Sequence, residues 1–466
     1  MKILFATAEL APLARVGGLA LAAGGLVDEL RRNGVDVTVV LPDYGDLDVE
    51  HEESWDLEAP APFGPLRARR GRVGGIDDVI LVSSTRLARP HPYVDPTTGQ
   101  GWPDNDERFL GFSAGVAALS NDLEPDVVHL NDWHTAAAPA FMAERPPIVL
   151  TVHTLGYQGV ADGGWLHALP HDAWCYAWYD GCNPLLGGIR LADAVVTVSP
   201  NYAREILTPE QGMGLHEQLA GLGNRLVGIR NGIDVHAWHP SRDQFLPRTY
   251  DASTLEEGRL AARAALLDLA GWDPDTSDRL LGVVTRLVDQ KGIDILLRML
   301  PFLEDLPARL VLLGSGQQEL VDAVRRAADA APDRIHAITD RYDEPLSHLI
   351  FAGTDLFLMP SRFEPCGLAQ MQAMAYGTLP VATPVGGLVD TIVDLDADPA
   401  NGTGILARSN DDLGFLDALH RGLRVHKLAA RRRAAQRRGM STDWSWQAPA
   451  WSQIGIYRAL VDGTFS

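Results

Sequence analysis

The sequence predicts an α/β protein made of two doubly wound, parallel-sheet domains. Short, continuously apolar runs alternate with helix-period stretches through both halves, the pattern of parallel strands covered on both faces. At 466 residues the chain is long for one domain of this kind. A polar stretch with Pro and Trp, 236–254 (HAWHPSRDQFLPRTYDAST), separates the runs into two groups and reads as a linker. The first group of predicted strands is Lys2–Ala6, Val35–Leu41, Val127–Leu130, Ile148–Val152 and Ala194–Val198. The second is Leu280–Val284, Ala308–Leu313, Leu356–Met359 and Leu379–Ala382. A helix is predicted over 255–269, and an amphipathic one from Gln447. The expected domains are 1–240 and 255–446, with 447–466 as a terminal helix.

Bulk composition narrows the function classes. A formal net charge of −21 argues against a nucleic-acid partner and requires local cations for any anionic ligand. The 3 cysteines are too few for a disulfide framework and suit a reducing compartment. The start, MKILFATAEL, enters an apolar strand directly, without the regions of a secretion signal, and no apolar window reaches membrane-spanning length. A cytoplasmic protein with no membrane association is expected. Lysine occurs only at Lys2, Lys291 and Lys427, so a lysine inside a loop motif stands out.

The loops that follow the strands carry the chemistry. Gly17 and Gly18 lie at the first strand-to-helix junction, just after Arg15, where backbone amides can approach an anion. The segment 92–109 (PYVDPTTGQGWPDNDERF) is polar and aromatic, a composition suited to stacking on sugar faces and binding hydroxyls. Asp132, Trp133 and His134 end the third strand of the first half, and His153 ends the fourth. His129, inside its strand, reads as a core histidine. In the second half Arg286 and Lys291 flank a strand-to-helix turn closed by Gly292, so both heads can converge on one pyrophosphate. The stretch 359–391 (MPSRFEPCGLAQMQAMAYGTLPVATPVGGLVDT) holds two strand-turn-helix units, whose loop amides lie at the ligand-binding edge of a parallel sheet. Its acid, Glu364, suits sugar hydroxyls better than phosphate. The combination points to a nucleotide-sugar site.

The run PSRFEPCGL…YGTLPV…GGLVDT resembles the hallmark of the bacterial glycogen synthase and plant starch synthase family, as do RLVDQKG, DWH, TVH and the glycine loop RVGGLAL. The resemblance spans nearly the whole chain. It implies the GT-B fold, two Rossmann-like domains facing a central cleft, with the last helix packing back on the first domain. It also implies a retaining hexosyl, most simply glucosyl, transfer from a nucleoside diphosphate sugar to the non-reducing end of an α-1,4-glucan. No metal and no resident cofactor is implied. ADP-glucose is the leading donor, with GDP-, UDP- and dTDP-linked sugars as alternatives; the oligomeric state is left open. By the resemblance, Arg286, Lys291, Glu364 and His153 are catalytic. Arg15, Gly17, Gly18, Tyr342, Gly386, Gly387 and Leu388 bind the donor's phosphates or nucleotide, with Tyr342 stacking on the base. Asp132, Trp133, Tyr93, Asn105, Tyr157, Gln158, Cys366 and Gly367 contact sugar or acceptor.

The chain departs from the family at five places: Arg15 for Lys, Leu21 for Asp, Thr154 for Asn, Leu186 for Lys and Val385 for Thr. All lie in segments that the resemblance places around donor or acceptor, while the second-half nucleotide motifs are nearly untouched. A second reading therefore stands beside the first: a secondary-metabolism glycosyltransferase, or a pseudo-glycosyltransferase joining a nucleotide-activated cyclitol to an amino sugar. A non-enzymatic glucan-binding protein would be expected to lose the cations, and Arg286 and Lys291 are present.

Overall fold

The computed structural model describes every residue except 46, 61, 305 and 466. It divides into two compact units, Met1–Gly232 with Trp446–Ser466, and Ile233–Ser445. The strands of the first unit are β1 (Lys2–Ala6), β2 (Asp36–Pro42), β3 (Val49–Leu57), β4 (Leu66–Val73), β5 (Ile76–Ser83), β6 (Val127–Asn131), β7 (Ile148–Val152), β8 (Ala161–Asp162), β9 (Ala177–Trp178), β10 (Gly181–Cys182), β11 (Ala194–Thr197) and β12 (Leu226–Gly228). Nine of them form one sheet in the order β12-β11-β7-β6-β1-β2-β5-β4-β3, and β8, β10 and β9 form a small separate one.

The alternation of side chains along β1 shows how this sheet is covered. Ile3 and Phe5 join one apolar cluster with Val27 and Leu30 of the Gly18–Arg32 helix and Ile454 and Tyr457 of the Gln447–Val461 helix. Leu4 and Ala6 face the other way, toward Phe109, Phe112 and Val116 of the Asn105–Leu123 helix. Gly25 lets the terminal helix approach: a Cβ there would lie 2.1 Å from the indole nitrogen of Trp446. The strands at β1, β2, β6, β7 and β11 coincide with the predicted runs. The antiparallel extension β5-β4-β3 was not anticipated. Its edge strand, VEHEESWDL, is largely exposed and charged, which blunts the sheet edge.

The second unit contains β13 (Arg279–Val284), β14 (Ala308–Leu313), β15 (Ile335–Ile338), β16 (Leu356–Met359), β17 (Leu379–Ala382) and β18 (Ile405–Leu406), all parallel, ordered β15-β14-β13-β16-β17-β18. The expectation that 236–254 is a linker is corrected. That stretch belongs to the second unit. Trp238 is buried and stacks on His348 at 3.9 Å, and the Asp243 carboxylate accepts from the Tyr376 hydroxyl at 2.5 Å. Tyr250 donates to the Tyr376 carbonyl at 2.9 Å. Among the described residues no helix is long and apolar enough to cross a membrane.

Candidate active site

In the first unit the loop after β1 is organised around Glu9, a residue the sequence analysis passed over. Its carboxylate is buried, and one oxygen accepts from the amides of Val16 and Gly17, both at 2.8 Å. The other oxygen accepts from the Tyr93 hydroxyl at 2.7 Å. Burial, reinforced by the Glu9 charge, pushes the Tyr93 phenol well above its ordinary range, so Tyr93 acts as a donor. The expected phosphate-facing role of the Gly17 amide is thereby corrected: it is engaged by a carboxylate of the chain itself. Gly18 opens the 18–32 helix, whose first amides have no intrahelical acceptor. Arg15 is exposed beside them.

The carboxyl ends of β6 and β7 form a second cluster. Asp132 adopts φ 53°, in the left-handed region that aspartate tolerates better than most residues, and its carboxylate accepts from the His153 amide at 2.7 Å. Burial pushes this carboxyl up to about 7, against the opposing pull of the His153 and Thr154 amides. Burial lowers His153 to about 3, so its ring is neutral, and its Nε2 lies 2.9 Å from Asn131 Oδ1. His134 is also lowered to about 3, by burial first and then by His153 and Arg108. It stacks between Tyr93 at 5.0 Å and Trp133 at 4.3 Å. Trp133 is half-buried, its edge against Phe109. His129 is fully buried between the Tyr457 hydroxyl at 2.5 Å and the Thr151 hydroxyl at 2.7 Å, as befits a core histidine.

Not every residue singled out in this unit has polar atoms to spare. Asn105 donates to the Tyr93 carbonyl at 2.8 Å and accepts from Arg108 at 2.6 Å, so it braces the loop. Gln158 donates to the Met213 carbonyl at 2.9 Å and accepts from Asn183 at 2.7 Å. Both were expected to touch sugar; the structure gives them to scaffolding. Tyr157 is exposed. Of the departures, Leu186 is a core residue, Val385 is buried, Leu21 is half-buried, and the Thr154 hydroxyl accepts from the Gly156 amide at 3.1 Å.

In the second unit Arg286 and Lys291 lie on one loop and Glu364, Cys366 and Gly367 on an adjoining one, while Tyr342 follows β15 and Gly386 to Leu388 follow β17. Lys291 Nζ donates to Glu364 Oε2 at 2.5 Å, and the Ser361 hydroxyl donates to the same oxygen at 3.1 Å. Glu364 is buried and Lys291 nearly so. The loops are bolted together by the Arg362 amide on the Gln290 carbonyl at 2.9 Å and by the paired Arg362 and Asp294 side chains at 2.5 and 2.6 Å. Arg286 is exposed, its guanidinium 3.4 Å from Gln290 Oε1. Tyr342 is half-exposed, its hydroxyl 3.2 Å from Ser347 Oγ. Cys366 and Gly367 continue the Glu364 loop, with their carbonyls accepting from Gln370 at 2.9 and 3.0 Å.

The reading of Gly387 and Leu388 as open amide donors is corrected. Gly387 donates to the Glu364 carbonyl at 3.0 Å and Leu388 to the Val385 carbonyl at 3.1 Å. The helix they open, Gly387–Thr391, is a single turn with little dipole to offer. The glycines serve close approach instead: a Cβ at Gly386 would lie 1.9 Å from the Glu364 carbonyl oxygen, and Gly386 has φ 46°. Gly386→Ala is expected to displace the Glu364 loop and lower the melting temperature of the second unit. The strain alone is worth about 1–3 kcal/mol. Unchanged melting and nucleotide binding would show that the loop yields freely. Among the described residues no group of His, Cys, Asp and Glu is placed to hold a metal ion.

Comparison with known proteins supplies the family. A family model described as the starch synthase catalytic domain matches residues 2–221, and one for group 1 glycosyl transferases matches 278–424. The chain is 40% identical to glycogen synthase 2 of Nitrosococcus oceani, covering 100% of this chain and 98% of that protein. It is 39% identical to glycogen synthase 1 of Methylococcus capsulatus, covering 99% and 97%. The catalytic domain of starch synthase IV from Arabidopsis thaliana, solved bound to ADP and acarbose, superimposes with a TM-score of 0.87 at 32% identity, covering 99% of both chains. Both halves are matched at full length, and the chain belongs to the glycogen synthase and starch synthase family of GT-B glycosyltransferases.

Proposed function

We propose that the protein elongates an α-1,4-glucan, transferring a glucosyl unit from a nucleoside diphosphate glucose to the non-reducing end with retention of configuration. The observation that carries this is the buried Lys291–Glu364 pair beside Arg286, in a chain that matches glycogen synthases over its whole length. ADP-glucose is the donor we favour, because the Arabidopsis starch synthase was solved with ADP. The same likeness, covering both units, weighs against the cyclitol-coupling alternative. We assign the acceptor side to the first unit and the nucleotide side to the second. A chain with only 3 cysteines and a nucleotide-sugar substrate suits the cytoplasm.

Departure of the leaving group builds negative charge on the diphosphate and oxocarbenium character on the ring. Fixed cations count most where that charge develops. Arg286 and Lys291 of the second unit take this role. Because the amides of Gly17, Gly387 and Leu388 are engaged within the chain, the side-chain cations carry the larger share. Glu364 holds Lys291 through one oxygen and offers the other to a donor hydroxyl. Tyr342 stacks on the base, and Asp132, Trp133, Tyr157 and His153 meet sugar. A turnover panel of ADP-, UDP-, GDP- and dTDP-glucose with maltose, maltotriose and glycogen tests the proposal. Chain extension from ADP-glucose is expected. Nucleotide binding without extension of any glucan would overturn it.

A further inference from the structure

Asn131 closes β6 one residue before Asp132 and is fully buried. Its side-chain amide is held at both ends. Nδ2 lies 3.0 Å from the carbonyl of Ala6, at the end of β1, and Oδ1 lies 2.9 Å from His153 Nε2. A carbonyl can only accept, so the nitrogen of the amide must face Ala6. That leaves the oxygen toward the histidine, and an oxygen there requires a proton on Nε2. The Asn131 main chain is fixed as well, its amide donating to the Thr135 hydroxyl at 2.7 Å and its carbonyl accepting from that hydroxyl at 3.0 Å. The asparagine therefore cannot flip without setting its buried oxygen against the Ala6 carbonyl, acceptor facing acceptor, a loss of about 1–3 kcal/mol.

We propose that Asn131 is a positioning residue that locks His153 in the Nε2–H tautomer, so that Nδ1 meets the donor sugar only as a hydrogen-bond acceptor. This rests on the reading of His153 as a sugar-contacting residue and gives that contact a direction: a hydroxyl of the hexosyl group donates to the ring. A ring whose tautomer were free would give or take a proton indifferently, and a protonated ring would add positive charge beside a carbon becoming cationic. The neutral acceptor avoids both. The groups around His153 are consistent with this. His129 and His134 are themselves held neutral by burial, and Asp132, the nearby acid, is turned to the His153 amide rather than to its ring. From the flanking helices the small cavity beside His153 receives only Ala22, Ala23, Leu26, Trp446, Pro449 and Gln453, none of which titrates.

The test begins with the unliganded full chain, labelled with nitrogen-15 at histidine. Long-range nitrogen–proton spectra, with His153 assigned by its disappearance in His153→Gln, are expected to show the Nε2–H tautomer from pH 6 to 8. An Nδ1–H tautomer or an imidazolium overturns the proposal, whatever the enzyme's substrate proves to be. Asn131→Asp keeps the acceptor but adds a charge that favours imidazolium. Its kcat relative to the parent is expected to fall by about tenfold per pH unit below the raised histidine pKa, in a variant that melts lower than the parent because a carboxylate oxygen faces the Ala6 carbonyl but is still folded at the assay temperature. A parallel fall of kcat at every pH, or no fall at all, would show that Asn131 only packs. If no nucleotide glucose is used by the parent enzyme while the tautomer is as stated, the functional reading fails and the tautomer assignment stands.

Discussion

Lys291→Ala is expected to lower kcat by about 10²–10³-fold, the cost of removing one fixed donor from a developing oxyanion. The structure adds a second consequence. The lysine is the ion-pair partner of Glu364, whose side chain is only 6% exposed. Without it a buried carboxylate keeps one hydroxyl, that of Ser361, and the second unit should lose about 3 kcal/mol of stability. The two losses separate in a double variant. Lys291→Met with Glu364→Gln removes both charges, so stability should largely return while turnover stays low. Lys291→Arg retains the charge but replaces a compact ammonium with a wide fork, and should recover only part of the rate. Denaturant melts and initial rates on the same preparations decide it. Full recovery of turnover in the double variant would show that the lysine acts through stability alone.

The second large effect is on acid stability. Burial, first among the causes in each case, holds His129, His134 and His153 at about 3, far below the ordinary 6.5. A histidine lowered on folding contributes stability that is complete above its unfolded pKa and is lost as pH falls toward the folded one. Asp132 works in the opposite sense: raised to about 7, it keeps a proton in the folded state that the unfolded chain has released above 3.8. Near pH 5 the unfolded first unit therefore binds about two more protons than the folded one from these four groups, a slope of roughly 3 kcal/mol per pH unit. Lowering the pH from 7 to 5 should weaken the first unit far more than the second. Pulse proteolysis in denaturant, scoring fragments of each unit, measures this. A first unit equally stable at both pH values would sink the claim.

Much of the fold was legible because buried parallel strands are mostly apolar, and β1, β6, β7, β14, β16 and β17 carry short, predominantly apolar runs. The antiparallel extension was not legible because β3, carrying four acids, has neither an apolar run nor a clean alternation. The stretch 236–254 looked like a linker from its polarity. Its burial depends on His348 and Tyr376, more than a hundred residues away. Motif spacing singled out His153 in the first unit and Lys291 and Glu364 in the second, and the latter two meet in the structure. Spacing could not say that Gly17 and Gly387 would spend their amides on Glu9 and on the Glu364 carbonyl. Hydrogen-bond direction depends on which neighbour arrives from elsewhere in the chain. Glu9 and Asn131 were overlooked for that reason: each sits just outside a recognisable motif, and each works through a partner on another strand or loop. The sequence signal for Glu9 was an acid eight residues ahead of the glycine pair, which a chain of this charge makes commonplace.

The Glu9 clasp bears on how the enzyme meets its donor. A glycine-rich loop left to itself samples many backbone states, and fixing each residue costs about 1–2 kcal/mol of conformational entropy. Here the carboxylate gathers the Val16 and Gly17 amides and the Tyr93 hydroxyl before any ligand arrives. The loop is ordered when the protein folds rather than when the sugar nucleotide lands. Association then needs no slow induced closure of this segment, and its affinity is not diminished by loop ordering. The loop is thus preorganised, and nucleotide binding should leave the hydrogen-exchange protection of residues 9–18 almost unchanged.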